Sequence, residues 1–155
     1  MDQLRAAGPS RPSGFGGHIM KILVIDGQGG RLGRSLIEGI RARCPDAEIT
    51  AVGTNSIATR NMLTANVADH LATGENAVIV ACRSAHVIAG PIGIIMADAL
   101  LGEITPAMAA AVASSAAARV LVPMNLCDTY VAGVDKSASE IIEDALEHIR
   151  SLAEV

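Results

Sequence analysis

Aromatic side chains are almost absent from this 155-residue chain, which has no Trp and only Phe15 and Tyr130 as other rings. Proteins that bind single-stranded nucleic acid stack bases on such rings, so that mode of recognition is excluded. Duplex binding requires a basic surface, and 12 basic against 16 acidic residues, a net charge of −4, do not supply one. No nucleic-acid partner is expected. Cysteine is scarce as well. Cys44, Cys82 and Cys127 are an odd number without a dense framework, which reads as reduced thiols in a cytoplasmic protein. Long apolar runs are also missing. The longest uncharged one, Val87–Ala97, is roughly half of the ~20 residues a membrane span needs, and Gly90, Pro91 and Gly93 interrupt it. Neither a transmembrane helix nor a membrane partner is expected. Residues 1–19 hold prolines, glycines, Arg5 and Arg11 but no apolar segment, so they are not a secretory signal. They read as a disordered leader, a misplaced start or an expression remnant, with a single domain over 20–155.

What the chain has in quantity is aliphatic side chains: half of its residues are hydrophobic, mostly Ala, Val, Ile and Leu. Such a composition suits strands buried on both faces of a parallel sheet. Lys21–Asp26 is a short apolar run that ends at glycines, the pattern of a buried strand. Arg31–Cys44 follows with helical spacing of Leu32, Leu36, Ile37 and Ile40 and stops at Pro45. Glu48–Val52 is a second strand. Thr54, Asn55 and Ser56 offer caps for a helix to about Asn66 with Ile57, Met62 and Leu63 as its apolar positions. Ala68–Ala72 reads as a third strand. Glu75–Arg83 reads as a helix capped by Thr73, with a strand at Val78–Ala81 as the alternative. His86–Ala89 is a strand and Ile94–Leu101 a helix. Thr105-Pro106 starts an alanine-rich helix to Ala118, and Arg119–Met124 is the last strand. Ser137 and Glu140 form a capping box for a final helix to about Ala153. Its buried face is Ile141, Ile142, Ala145, Leu146, Ile149 and Leu152. Strands alternating with helices define an α/β class. The expected architecture is a three-layer Rossmann-like domain, with an open, mainly parallel sheet of about five strands and helices on both faces.

Open parallel sheets bind ligands beyond the carboxyl ends of their strands. The segments there are Gly27–Gly33, Gly53–Ser56, Thr73–Asn76, Gly90–Gly93 and Asn125–Asp128, each glycine-rich or polar. The expected ligand-binding residues are Gly27, Gln28, Gly29, Gly30, Gly33, Thr54, Asn55, Ser56, Thr73, Gly74, Asn76, Gly90, Pro91, Gly93, Asn125 and Asp128. The first segment, Gly27-x-x-Gly30-x-x-Gly33, follows a strand and opens a helix, a place where backbone N–H groups and the helix dipole favour a phosphate. Over residues 20–40 this spacing resembles the extended short-chain dehydrogenases and nucleotide-sugar epimerases. The chain departs from them at two points. No acidic residue follows the second strand to hold ribose hydroxyls, where Asn55, Ser56 or Arg60 could instead meet a 2′-phosphate. No Tyr-x-x-x-Lys pair exists, since Tyr130 is followed by Val-Ala-Gly. A dehydrogenase of that type is disfavoured, and NAD(P) or another nucleotide stays open as the cofactor.

The groups suited to catalysis are few. Cys127 follows a strand end and precedes Asp128, and a thiol near a helix N-terminus has a lowered pKa and nucleophilic character; Glu75 follows a strand-end glycine in reach of acid–base work. Glu103, in the turn Gly102–Pro106, ranks below Glu75, with a solvated or capping role expected. Cys44 and Cys82 read as buried structural thiols. No metal is expected, because Cys82, Cys127, His70 and His86 lack zinc-type spacing. Asp98 falls inside an apolar segment whose lack of a polar face suggests cover by a second copy, a homo-oligomer.

From Met20 to about Val134 the chain resembles a bacterial family of uncharacterised proteins, domain of unknown function 3842. The carrying segments are Lys21–Gly30, Ala51–Thr59, Ala72–Ala77, Gly90–Ile94, Leu101–Met108 and Asn125 with Cys127-Asp128. The resemblance implies a ligand site shared by the strand-end loops, without naming a ligand. The expected function is binding of a nucleotide or other phosphate-bearing small molecule at that edge. The alternative is a non-catalytic oligomeric sensor or interaction module.

Overall fold

The computed structural model describes residues 18–124 and 128–154. Five strands, β1 (Lys21–Asp26), β2 (Glu48–Gly53), β3 (His70–Thr73), β4 (Val87–Pro91) and β5 (Ala118–Val122), form one parallel sheet in the order β3-β2-β1-β4-β5. The helices are α1 (Arg31–Arg43), α2 (Ser56–Thr64), α3 (Glu75–Cys82), α4 (Pro106–Ser114) and α5 (Ala138–Ala153). Alternation along the strands feeds two cores, as a sheet covered on both faces requires. Ile22, Val24, Ile49, Ala51, Val87 and Val120 point to one face, where they meet Leu36, Ile37 and Ile40 of α1, Met62 of α2, and Leu146 and Ile149 of α5. Leu23, Ile25, Val52 and Ile88 point to the other, against Val78 of α3 and Met108 and Val112 of α4. Each such aliphatic side chain contributes roughly 1.5–3 kcal/mol on burial. The three-layer α/β architecture is therefore as expected.

Several local expectations are corrected. Ile94–Leu101 is not a helix: a 3-10 turn at Ile92–Ile95 gives way to turns through Ile104. Asp98, Leu100, Leu101 and Gly102 all have positive φ, which no right-handed helix accommodates. Burial decides the outcome. Leu100 and Ile104 are buried in the second core while Leu101 is 93% exposed, and this compact knot satisfies both through Asp98 N–H to Ile104 O (2.7 Å) and Ile104 N–H to Ala99 O (3.1 Å). Asp98 is exposed, so the helix that suggested cover by a second copy is not there.

Helix α4 ends at Ser114, short of Ala118, because β5 must begin at Ala118 to pair with Val87. Ser115 fixes that corner, donating to Cys82 O (3.0 Å) and accepting from Ala117 N–H (3.2 Å). On α2, Met62 is buried as expected, but Ile57 and Leu63 are exposed and Ala58 faces inward instead. Residues 75–82 are helical, with Gly74 and not Thr73 at the cap. Thr73 hydrogen-bonds the Thr59 hydroxyl (2.6 Å). The leader expected over 1–19 lies almost wholly outside the described residues.

Candidate functional site

The chain winds from β1 through β2 to the edge strand β3, then crosses back to place β4 on the other side of β1. The carboxyl ends of β1 and β4 therefore flank the switch point where open α/β sheets bind ligands. On the β1 side, Gly27–Gly30 is a tight turn closed by Gly30 N–H to Gly27 O (2.9 Å). Gly30 is the N-cap of α1 with φ 71°, and a Cβ there would strike the Ala58 backbone at 2.6 Å, so only glycine fits.

The carbonyl side of this turn is held by helix α2. Asn55 Nδ2 donates to Gln28 O (3.1 Å) and Asn61 Nδ2 donates to Gly29 O (2.9 Å). Asn55 also caps α2, its Oδ1 accepting from Ala58 N–H (2.8 Å). With the carbonyls engaged, the N–H groups of Gly29, Arg31 and Leu32 have no hydrogen-bond partner among the described residues. The open end of α1 thus presents unsatisfied donors at the positive end of its dipole. Arg31 itself is exposed and makes no ion pair among the described residues.

Two carboxylates stand beside the turn. Asp26 closes β1, and its oxygens accept from Gly27 N–H (2.8 Å) and Gly33 N–H (2.6 Å), pinning the turn to the first winding of α1. Burial raises its pKa above the ordinary aspartate value; those two N–H bonds oppose the rise and Glu103 adds to it. Gly33 is required by this contact, since a Cβ would meet Met62 Sδ at 2.6 Å and Asp26 Cβ at 2.7 Å.

Glu103 arrives from the β4 side. Its Oε1 accepts from Gln28 N–H (3.0 Å), Thr54 Oγ1 (2.8 Å) and Asn55 Nδ2. Its burial opposes ionisation, but the bonds from Asn55, Gln28 and Thr54 outweigh it and hold the carboxyl below the usual glutamate range. Leu100, 4% exposed, would lie 2.8 Å from a Cβ on Gly27, so glycine there admits the segment that carries Glu103.

The structure thus brings Gly27, Gln28, Gly29, Gly30, Gly33, Thr54 and Asn55 together, with Glu103 as their shared acceptor. Sequence reasoning ranked Glu103 low because its partners lie 49 and 75 residues away along the chain. None of the other described expected residues bonds to Glu103 or to the turn. Thr73, Gly74, Glu75 and Asn76 sit at the end of edge strand β3, two strands and roughly 10 Å from β1. Glu75, Asn76 and Ser56 are exposed. Gly90 and Pro91 belong to buried β4, where a Cβ on Gly90 would collide with Ile25 O, and Gly93 is buried in the 3-10 turn. Asp128 is exposed with φ 54°. Asn125 and Cys127 lie outside the described residues.

Cys44 and Cys82 are buried, and burial pushes both thiols up, which fits structural roles. Among the described residues no group of three or more His, Cys, Asp or Glu could hold a metal ion, and no helix is long and apolar enough to cross a membrane.

An open five-stranded parallel sheet with a glycine turn at its switch point defines a Rossmann-like α/β domain. Within that class, the chain belongs to the family described as Domain of unknown function (DUF3842), whose model matches residues 21–154. No curated protein and no solved structure matches it.

Proposed function

We propose that this domain binds a nucleotide or another phosphate-bearing small molecule at the carboxyl edge of its sheet, with the phosphate on the N-terminus of α1. The observation that carries this reading is the one-sidedness of the glycine turn. Asn55 and Asn61 take its carbonyls, and the N–H groups of Gly29, Arg31 and Leu32 have no acceptor among the described residues. Helix N-termini with open N–H groups favour anions. Gly29 adds support, because it is exposed and a Cβ there would touch nothing within 4 Å, so packing does not demand glycine at that point. NAD(P), ATP and GTP all belong to the ligand class. A cytoplasmic setting is part of this reading, and the two buried thiols outside any disulfide support it.

A thermal-shift series with NAD, NADP, ATP, GTP and sugar phosphates tests it. A ligand at about 100 times its Kd stabilises by about 2.7 kcal/mol, a rise of several degrees. Gly29→Glu sets a negative charge over the open donors without a clash and should erase that rise. Gly30→Glu is the poorer probe, since it also strains the backbone against Ala58. Absence of any shift, or a shift that survives Gly29→Glu, removes the proposal.

A second reading, an oligomeric interaction module, is favoured by Ile57, Leu101 and Tyr130, large hydrophobic side chains that are exposed. Sedimentation of the full chain decides it. A monomer across micromolar concentrations would end the self-association form of that reading.

A further inference from the structure

We propose that Glu103 recognises a ribose, so that the ligand of this edge is a ribonucleotide. The inference rests on the phosphate reading above for the position of the ligand's anionic end. Dinucleotide sites place an acid after the second strand to accept the ribose hydroxyls. Here that stretch is Gly53-Thr54-Asn55-Ser56, without a carboxylate. The fold delivers one to the same place from the other side of the sheet. Glu103 bonds Thr54 and Asn55 at the end of β2 and the Gln28 N–H in the turn after β1.

The two carboxylate oxygens are used unequally. Oε1 accepts from Gln28, Thr54 and Asn55, whereas Oε2 has only a longer contact to Gln28 N–H (3.2 Å). A carboxylate oxygen offers about two acceptor positions, so with the Gln28 N–H contact on one of them Oε2 keeps one position for a ligand. The three donors on Oε1 hold the group in place and keep it ionised, which makes it an oriented acceptor. A phosphate is repelled by such a charge, and no Lys or Arg pairs with Glu103 among the described residues. The matching neutral group is a hydroxyl donor. A ribose supplies one close to its phosphate. With the phosphate on Arg31 and Leu32 N–H, the sugar lies back along the turn toward Gln28, where Glu103 is held.

Calorimetric titration of the full chain with ADP, 2′,3′-dideoxy-ADP and inorganic pyrophosphate tests the proposal, in the wild type and in Glu103→Gln. The wild type should bind ADP roughly tenfold or more tighter than the dideoxy compound, the worth of hydrogen bonds to a charged acceptor. Glu103→Gln should reduce that preference to about twofold or less and leave pyrophosphate binding no weaker. The comparison of ligands on the wild type holds even if the variant does not fold. Equal affinity for the two nucleotides overturns the proposal. So does tighter ADP binding by Glu103→Gln, which would mean that the carboxylate blocks the site. If pyrophosphate binds and the ribose adds nothing, this proposal alone falls; if neither pyrophosphate nor ADP binds, the phosphate reading falls with it.

Discussion

The two segments that flank the switch point solve opposite problems. After β1, four residues make a turn and the chain enters a helix at once, with its shape set by local constraints: a left-handed Gly30, a closing bond from Gly30 to Gly27, and Asp26 gripping the first winding of α1. After β4, the chain wanders from Ile92 to Thr105 through a 3-10 turn and a knot of left-handed residues before α4 begins. The first segment is shaped largely by its own sequence, and Asn55 and Asn61 then fix its carbonyls. The second is shaped by what it touches, since Leu100 fills the space over Gly27 and Glu103 ties the ends of β1 and β2 together. A short turn preorganises donors; a long excursion brings an acceptor to them.

The comparison breaks most readily at Leu100. If the knot after β4 is part of the core, Leu100→Ala should lose about 2–5 kcal/mol in urea unfolding, while Leu101→Ala, one residue on, should change stability by less than about 0.5 kcal/mol. Equal effects would mean that the segment is not locked as described.

Asp26 tests the other side. Asp26→Ala leaves the buried Gly27 and Gly33 N–H groups without their acceptor and should cost about 1–3 kcal/mol. A loss much below 1 kcal/mol would show that the turn holds without its carboxylate.

The same two segments should also differ in the sign of their pH dependence. Asp26 has a raised pKa in the fold, so its contribution is fully present below the ordinary aspartate value and is lost as pH rises through the folded value. Glu103 has a lowered pKa, so its contribution is present above the ordinary glutamate value and is lost as pH falls through the folded one. Stability measured between about pH 3 and pH 7, relative to Asp26→Asn and to Glu103→Gln, should therefore show opposite slopes. Slopes of one sign would contradict the environments described for the pair.

The smallest expected effect is a gain. Leu101 has φ 56° and is 93% exposed, so Leu101→Gly relieves left-handed strain and gives up no packing. Thermal unfolding should show a stabilisation of up to about 1 kcal/mol after the entropy cost of glycine. A clear loss would sharpen the comparison differently, by assigning the Leu101 side chain a contact of its own.

Strands and helices whose pattern is local were legible from residue order. Lys21–Asp26 as a buried strand, the Ser137–Glu140 capping box and the helical reading of Glu75–Arg83, observed over Glu75–Cys82, all agree with the structure. Ile94–Leu101 was misread because an apolar stretch with good helix formers scores as helix wherever it stands, whereas its true conformation depends on burying Leu100 and exposing Leu101 next to each other. The candidate site was legible in half. The glycine turn, Thr54 and Asn55 announce themselves by following strands, but nothing near Glu103 in sequence reveals that its carboxylate reaches the turn after β1. Glu75, by contrast, looked well placed in the sequence and stands at the edge strand, away from the glycine turn.

Residue order alone determined that this chain folds as alternating strands and helices around an aliphatic two-sided sheet, because hydrophobic periodicity and helix caps act over a few residues. It also determined where the glycine turn falls. Only the tertiary structure decided which carboxylate faces that turn and which donors remain open. Those outcomes depend on strand order and on the crossing from β3 back to β4, which bring residues far apart in the chain within hydrogen-bond distance.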